Sequence, residues 1–122
     1  MFIPVEVWFR AFLLTALVEA PIVALVLRRW EPSRPRLVVL VVFANLASHP
    51  AVWFVFSQLL LIGTTEYLLA AEGWAIGCEA LFYWVAVRGV PVRWAIVASL
   101  VANAVSFLIG QLVFMLWPAL GL

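Results

Sequence analysis

Four long apolar segments, separated by short polar ones, make up most of this 122-residue chain. They cover about residues 5–27, 37–62, 66–87 and 94–117. A helix needs about 20 predominantly apolar residues to cross the hydrocarbon core of a bilayer, and each segment is that long. Lipid admits only helices and closed barrels, and none of the segments alternates polar and apolar residues as a strand would. The pattern predicts an all-α integral membrane protein, with four transmembrane helices in a single membrane domain over residues 1–122.

The composition excludes several classes of protein. Hydrophobic residues account for 68% of the chain and charged residues for 11%, whereas a soluble domain is about half apolar and a quarter charged. With a net charge of +1, the chain is not expected to bind nucleic acid, and its expected partner is the lipid bilayer. The sequence contains no Asp, no Lys and no nucleophile motif around its serines, so we expect no catalytic residues and no enzyme activity.

The arginines predict how the chain is oriented. Six of the seven lie in the segments 28–36 and 88–93, and Arg10 is the exception. Because basic residues accumulate in cytoplasmic loops, we expect both segments to face the cytoplasm of a cell membrane, with both termini outside.

The two halves of the sequence resemble each other. Polar residues recur in the same order in both halves, with identical Glu-to-Arg and Asn-to-Ser spacings and a loop between them that differs by two residues. They are Glu19, Arg28, Asn45 and Ser48 in the first half, and Glu79, Arg88, Asn103 and Ser106 in the second. The pattern predicts an internal repeat of about residues 5–62 and 64–117. Each repeat is a two-helix hairpin, so the two would form tandem repeats in parallel orientation about an axis along the membrane normal.

One polar residue in each predicted helix lies near the middle of the bilayer. Glu19, Asn45, Glu79 and Asn103 are each nine or ten residues from the nearest loop arginine. This separation corresponds to about 14 Å along a helix, which is half the thickness of the hydrocarbon core. A charge at this depth costs about 3 kcal/mol. Each Glu is therefore expected to face the bundle interior and to be protonated, paired or bound to a cation. Alternatively, the polar side chains serve only to hold the helices together.

Two further polar residues distinguish the halves. Glu72 precedes Glu79 by seven residues and shares its helix face, which Tyr83 continues as a polar track. His49 lies one turn beyond Asn45 and directly precedes Pro50. It could relay protons, bind a metal, ligate a haem or chlorin, or form a hydrogen bond to a buried Glu. The sequence identifies no particular metal or cofactor.

Small residues predict where the helices pack closely. Ser99, Ser106 and Gly110 share one face of the fourth predicted helix with Asn103, and Ser48 follows Asn45 in the second. Such faces allow transmembrane helices to approach each other, so we expect these four small residues at helix contacts.

These patterns favour a carrier or channel module for a small cation or for protons. Glu19 and Glu79 would bind and release the ion, and Asn45 and Asn103 would complete the shell around it. Glu72 and His49 would guide entry or relay protons. The alternative is a non-catalytic accessory subunit of a larger membrane complex, with His49 as the attachment point for a pigment or cofactor. Because four helices form a thin bundle, we expect a homo-oligomer or a larger membrane complex in either case.

Overall fold

Four helices make up most of residues 3–120, which are the residues that the computed structural model describes. No strand occurs in this range. The helices are α1 (Val5–Leu27), α2 (Arg34–Leu59), α3 (Thr65–Ala86) and α4 (Val92–Leu116), and a short 3-10 turn, Pro118–Leu120, follows them. All four are long and apolar enough to cross a membrane. The prediction of a multi-pass helical membrane protein is therefore confirmed.

Most of the surface of each helix faces outward. In the most apolar stretch of each helix, only 22% of the residues of α2 and 28% of those of the other helices are buried within the bundle. The exposed side chains include large hydrophobic residues such as Leu17, Val85 and Met115. An apolar exterior of this kind suits the acyl chains of a bilayer.

The four helices form a closed ring. Helix α1 packs against α2 and α4, and α3 packs against the same two helices from the other side. Helices α1 and α3, which carry Glu19 and Glu79, therefore occupy opposite corners of the bundle. Helices α2 and α4, which carry Asn45 and Asn103, occupy the other two corners.

The first arginine-containing loop is shorter than expected. The sequence predicted a loop over residues 28–36, but α2 begins at Arg34. The Ser33 hydroxyl accepts a hydrogen bond from the Arg36 backbone N–H at 3.4 Å and so caps the helix. Pro35 fits in the first turn because N–H groups there have no acceptor within the helix. The loop therefore covers residues 28–33.

Helix α2 is irregular after Pro50. The next segment, Ala51–Phe56, is a π-helix, which places an extra residue in the turn. Proline lacks a backbone N–H and disturbs the preceding turn, so an interruption at this point was expected, although not its π-helical form. Two side chains of α3 donate to α2 carbonyl groups here: Tyr67 Oη to Val52 at 3.1 Å and Trp74 Nε1 to Ser48 at 3.2 Å.

The two ends of the bundle differ in packing. We call the end with the connections 28–33 and 87–91 the arginine side, and the opposite end, with the connection 60–64, the terminal side. A continuous hydrophobic cluster, the arginine-side core, fills the first: Val23, Leu27, Leu37, Val41, Ala44, Tyr83, Val87, Val90, Ala95, Ala98 and Ala102. On the terminal side the π-helical segment has no buried residue. The continuous core thus lies toward the arginine side.

Candidate functional site

Six buried polar side chains lie between the arginine-side core and the terminal side. We call them the polar layer, and each is at most 8% exposed: Glu19, Asn45, Ser48, Glu79, Asn103 and Ser106. The layer therefore includes all four residues that the sequence placed near the middle of the membrane. Each of the four helices contributes one of those four to the interior of the bundle.

Within each hairpin, an asparagine binds a glutamate. Asn45 Nδ2 donates to Glu19 Oε2 at 2.8 Å, and Asn103 Nδ2 donates to Glu79 Oε2 at 2.8 Å. Each amide group also donates to the backbone carbonyl four residues earlier in its own helix. This second bond fixes the orientation of the amide, so that its donor points at the carboxyl group.

Between the hairpins, a serine of one binds the glutamate of the other. Ser106 Oγ donates to Glu19 Oε1 at 2.8 Å, and Ser48 Oγ donates to Glu79 Oε1 at 2.7 Å. Both oxygens of each carboxyl group thus accept a hydrogen bond, one from each hairpin. From the sequence these two serines were expected only at helix contacts. Their position three residues after each asparagine was the signal that they share its face.

The layer contains two acidic groups and no basic one. The carboxyl groups of Glu19 and Glu79 are close enough to interact electrostatically. Among residues 3–120, the ion pair that Arg36 forms with Glu31 at 3.1 Å lies in the first loop, outside the layer. Two neighbouring carboxylates without a counter-ion are costly in an apolar interior. Each negative charge in the layer must therefore be neutralised by a proton or by a bound cation.

Two polar atoms at this level have no partner. Asn45 Oδ1 and the Tyr83 hydroxyl are both buried, and no described group forms a hydrogen bond with either. Tyr83 lies on the arginine side of the layer, within the arginine-side core. A buried polar group without a partner costs about 1–3 kcal/mol. Both atoms are therefore free to bind a further group that enters the layer.

A cavity of about 590 Å³ leads from the terminal side to the polar layer. Asn103 and Ser106 lie where the cavity meets the layer and form its floor. Each of them donates to a different glutamate, Asn103 to Glu79 and Ser106 to Glu19. Both carboxyl groups are therefore one hydrogen bond away from the cavity.

Glu72 and His49 lie on the wall of this cavity. Glu72 is close enough to interact electrostatically with both layer glutamates. The sequence allowed a hydrogen bond between His49 and a buried Glu. His49 Nδ1 is buried and has no hydrogen-bond partner among the described residues, and aromatic rings surround the imidazole. Ring centroids lie 5.9–6.5 Å away, at Trp8, Phe12 and Trp53.

Of the other two predicted packing residues, Ser99 lies at a helix contact and Gly110 lines the cavity. Ser99 Oγ donates to the Ile76 carbonyl at 2.8 Å and links α4 to α3. A Cβ atom added at Gly110 would meet nothing within 4 Å. This position lines the cavity, so there is open space where close packing was expected.

Three of the polar residues that line the cavity were not singled out from the sequence: Thr15, Tyr67 and Gln111. A signal existed for two of them. Thr15 precedes Glu19 by four residues, and Gln111 follows Asn103 by eight, so each shares a helix face with a layer residue. For Tyr67, five residues before Glu72, no such spacing applies.

The polar layer offers oxygen ligands and exchangeable protons. In the described part of the chain, no group of three or more His, Cys, Asp or Glu side chains could hold a metal ion. Carboxyl, amide and hydroxyl oxygens suit hard cations, and carboxyl groups can exchange such a cation for a proton. No protein family, curated protein or solved structure matches this chain.

Proposed function

We propose that this protein is a carrier for a small cation or for protons, in which Glu19 and Glu79 bind and release the ion. One observation carries the proposal: the two buried carboxyl groups accept hydrogen bonds from Asn103 and Ser106, which line a cavity on the terminal side of the layer. Asn45 and Asn103 complete the shell of the ion. Glu72 and His49 line its path of entry.

The one-sided cavity favours a carrier over a channel. A channel needs a continuous polar path, but the arginine-side core fills the bundle beyond the layer with apolar side chains such as Val23, Val41 and Val87. In a carrier the binding site is exposed to one side at a time, and it lies near the middle of the membrane between repeated units. Transport would require the helices to open on the arginine side and close on the terminal side.

The polar layer suits an exchange of protons for cations. With both glutamates protonated, the layer is neutral and needs no counter-ion. A cation that enters can replace one proton, and Asn45 Oδ1 offers it an oxygen that no described group occupies. Asparagine and serine donors can bind a carboxyl oxygen before and after this exchange, so the layer remains hydrogen-bonded throughout.

The proposal treats the two hairpins as duplicated units in parallel orientation. Its support is that exchanging Glu19, Asn45 and Ser48 with Glu79, Asn103 and Ser106 leaves the hydrogen-bond pattern of the layer unchanged. The arginine side would face the cytoplasm of the cell membrane, and both termini would lie outside. Because the bundle is thin, carriers would assemble as homo-oligomers.

A second candidate is a non-catalytic accessory subunit of a larger membrane complex. The observation that favours it is that all four carboxyl oxygens of the layer already have donors. In that case the layer would fix the packing of the four helices, and a partner protein would cover part of the apolar exterior.

Ion flux in proteoliposomes tests the proposal. Purified protein is reconstituted with a pH-sensitive dye inside the vesicles, and Na⁺, K⁺ or a pH gradient is applied. We expect flux from the wild type and from Glu66→Gln, a control on an exposed residue of α3. Glu19→Gln and Glu79→Gln should each reduce the flux at least about tenfold, because a neutral amide cannot exchange a proton for a cation.

Two results would overturn the carrier proposal. The first is the absence of flux from folded wild-type protein with every ion tested. The second is undiminished flux in both layer variants. The first result would favour the accessory subunit, and the second would place the transport path outside the polar layer.

A further inference from the structure

We infer that the cavity on the terminal side of the polar layer binds a monovalent organic cation with an aromatic or bulky apolar body. The inference rests on the proposed carrier function and names the class of substrate. Four features support this class of substrate: the size of the cavity, the aromatic rings in its wall, its charge and a second cavity beside it.

The cavity is larger than an inorganic ion requires. Its volume of about 590 Å³ lies within the range of about 300–1,000 Å³ that is typical of sites for drug-sized molecules. It extends from the floor at Asn103 and Ser106 to Ile62 and Gly63 at the terminal end. A proton or a dehydrated alkali ion would occupy only the floor and leave the remaining space without a role.

Aromatic rings line the cavity on three helices. Trp53 comes from the π-helical segment of α2, Tyr67 from α3, and Phe107 and Phe114 from α4. The face of an aromatic ring attracts a cation, and the ring also packs against apolar groups. The wall therefore favours a molecule that is both positively charged and apolar.

The charge of the cavity has one sign. Glu72 lies on the wall, and no Arg or Lys of the described chain lines it. Glu19 and Glu79 lie directly beneath the floor. When ionised, these groups attract a cation and repel an anion. A cation that replaces one proton keeps the layer neutral only if it carries one positive charge. The layer therefore favours a monovalent cation.

A second cavity supplies an apolar route to Glu72. It has a volume of about 440 Å³, lies between α3 and α4, and shares Glu72 and Phe107 with the larger one. Its remaining lining residues are apolar and include Leu69, which is 69% exposed on the outer surface. A molecule dissolved in the surrounding lipid could reach Glu72 this way, as expected for a cation with an apolar body.

Binding of tetraphenylphosphonium tests the inference. The radiolabelled cation is titrated onto wild-type protein in lipid nanodiscs, and empty nanodiscs correct for partition into lipid. Tetraphenylborate, which has four phenyl rings in the same arrangement but the opposite charge, is the matched control ligand. We expect saturable binding of the cation and none of the anion. This comparison needs no variant, so it does not depend on whether a variant folds.

Variants then locate the site. Glu72→Gln should weaken binding of tetraphenylphosphonium about tenfold, because it removes the charge from the wall and changes little else. Trp53→Leu should weaken it several-fold, because it keeps an apolar side chain but removes the ring. Glu66→Gln, on an exposed residue of the same helix as Glu72, should bind like the wild type.

The outcomes separate this inference from the proposed function. If both ions bind alike, or if neither binds saturably, the inference is overturned, and a lipid acyl chain becomes the better occupant. Flux of protons or alkali ions would still support a carrier in that case. Glu72-dependent binding without flux of any ion would support the site and contradict transport.

Discussion

At the scale of single residues, the two glutamates of the polar layer have equivalent surroundings. Each accepts one hydrogen bond from an asparagine and one from a serine, at 2.7–2.8 Å. A glutamine keeps one oxygen that can accept from the asparagine, and its Nε2 can donate to the serine hydroxyl, without carrying an ionisable proton or a charge. Substitution at one glutamate can therefore separate a structural role from a role in ion binding.

We expect Glu79→Gln and Glu79→Leu to differ in stability. Glutamine can accept from Asn103 through its one oxygen and donate from Nε2 to the Ser48 hydroxyl, so the free energy of unfolding should change by less than about 1 kcal/mol. Leucine removes the side-chain acceptor of the Ser48 hydroxyl and of one Asn103 N–H, and should cost about 2 kcal/mol or more. Unfolding in mixed detergent micelles, followed by circular dichroism, measures both variants. Equal loss of stability would contradict the hydrogen bonds described for Glu79.

Tyr83→Phe tests the unpaired hydroxyl on the arginine side of the layer. Because this hydroxyl forms no hydrogen bond with a described group, its removal should leave the stability unchanged or raise it by about 1 kcal/mol. If the transported ion passes this hydroxyl, the flux through the Tyr83→Phe variant should fall even though the variant is stable. Thermal unfolding measures the stability, and a proteoliposome assay on the same preparation measures the flux. Marked destabilisation would show that the hydroxyl is paired after all.

The sequence predicts the depth of the layer residues but not their partners. The rise per residue of a helix is constant, so counting from the loop arginines was sufficient to place Glu19, Asn45, Glu79 and Asn103 at one level. The serine bonds cross between hairpins and depend on how the helices are rotated against each other. The environment of His49 was not predictable for the same reason, because Trp8 and Phe12 come from another helix.

At the scale of the helices, α2 determines the shape of the cavity. Pro50 precedes the π-helical segment Ala51–Phe56, which carries Trp53 on the cavity wall. One extra residue in a turn rotates all later side chains by about 100° relative to a regular helix. The helix itself was predictable from its apolar length. The π-helical segment was not, because bonds from Tyr67 and Trp74 of α3 help to hold it.

We expect Pro50→Ala to change the cavity without unfolding the protein. A regular helix at this point would rotate Trp53 away from the wall, so tetraphenylphosphonium should bind several-fold more weakly while thermal stability is kept or raised. Pro21→Ala is the matched control, because Pro21 is an exposed proline inside α1. Unchanged binding by Pro50→Ala would mean that this proline does not shape the site.

At the scale of the whole molecule, the central feature is that the bundle is closed on the arginine side and open on the terminal side. The four helices and their order follow from the sequence, because length and apolarity alone decide them. The cavity does not follow from the sequence, because it forms where helices with similar apolar sequences leave space between them. Even Gly110, which was expected at a helix contact, faces this space.

Accessible cysteines test this asymmetry and the expected orientation. In a Cys78→Ala background, Thr15→Cys places a thiol on the cavity wall, and Val23→Cys places one in the arginine-side core of the same helix. We expect a membrane-impermeant maleimide, added to intact cells, to label Thr15→Cys but not Val23→Cys. Labelling of Thr15→Cys only from the cytoplasmic side would reverse the expected orientation. Equal labelling of both positions would contradict the one-sided cavity.

The most direct test of the central claim, that the buried carboxyl groups exchange protons for a cation, is a measurement of proton release. Saturating Na⁺, K⁺ or tetraphenylphosphonium is added separately to purified protein in a weakly buffered solution that contains a pH-sensitive dye. We predict that at least one of these ions releases a proton for each cation bound by the wild type, and that it releases none from the Glu19→Gln, Glu79→Gln double variant. Equal release from both proteins, or cation binding by the wild type without release, would contradict the account.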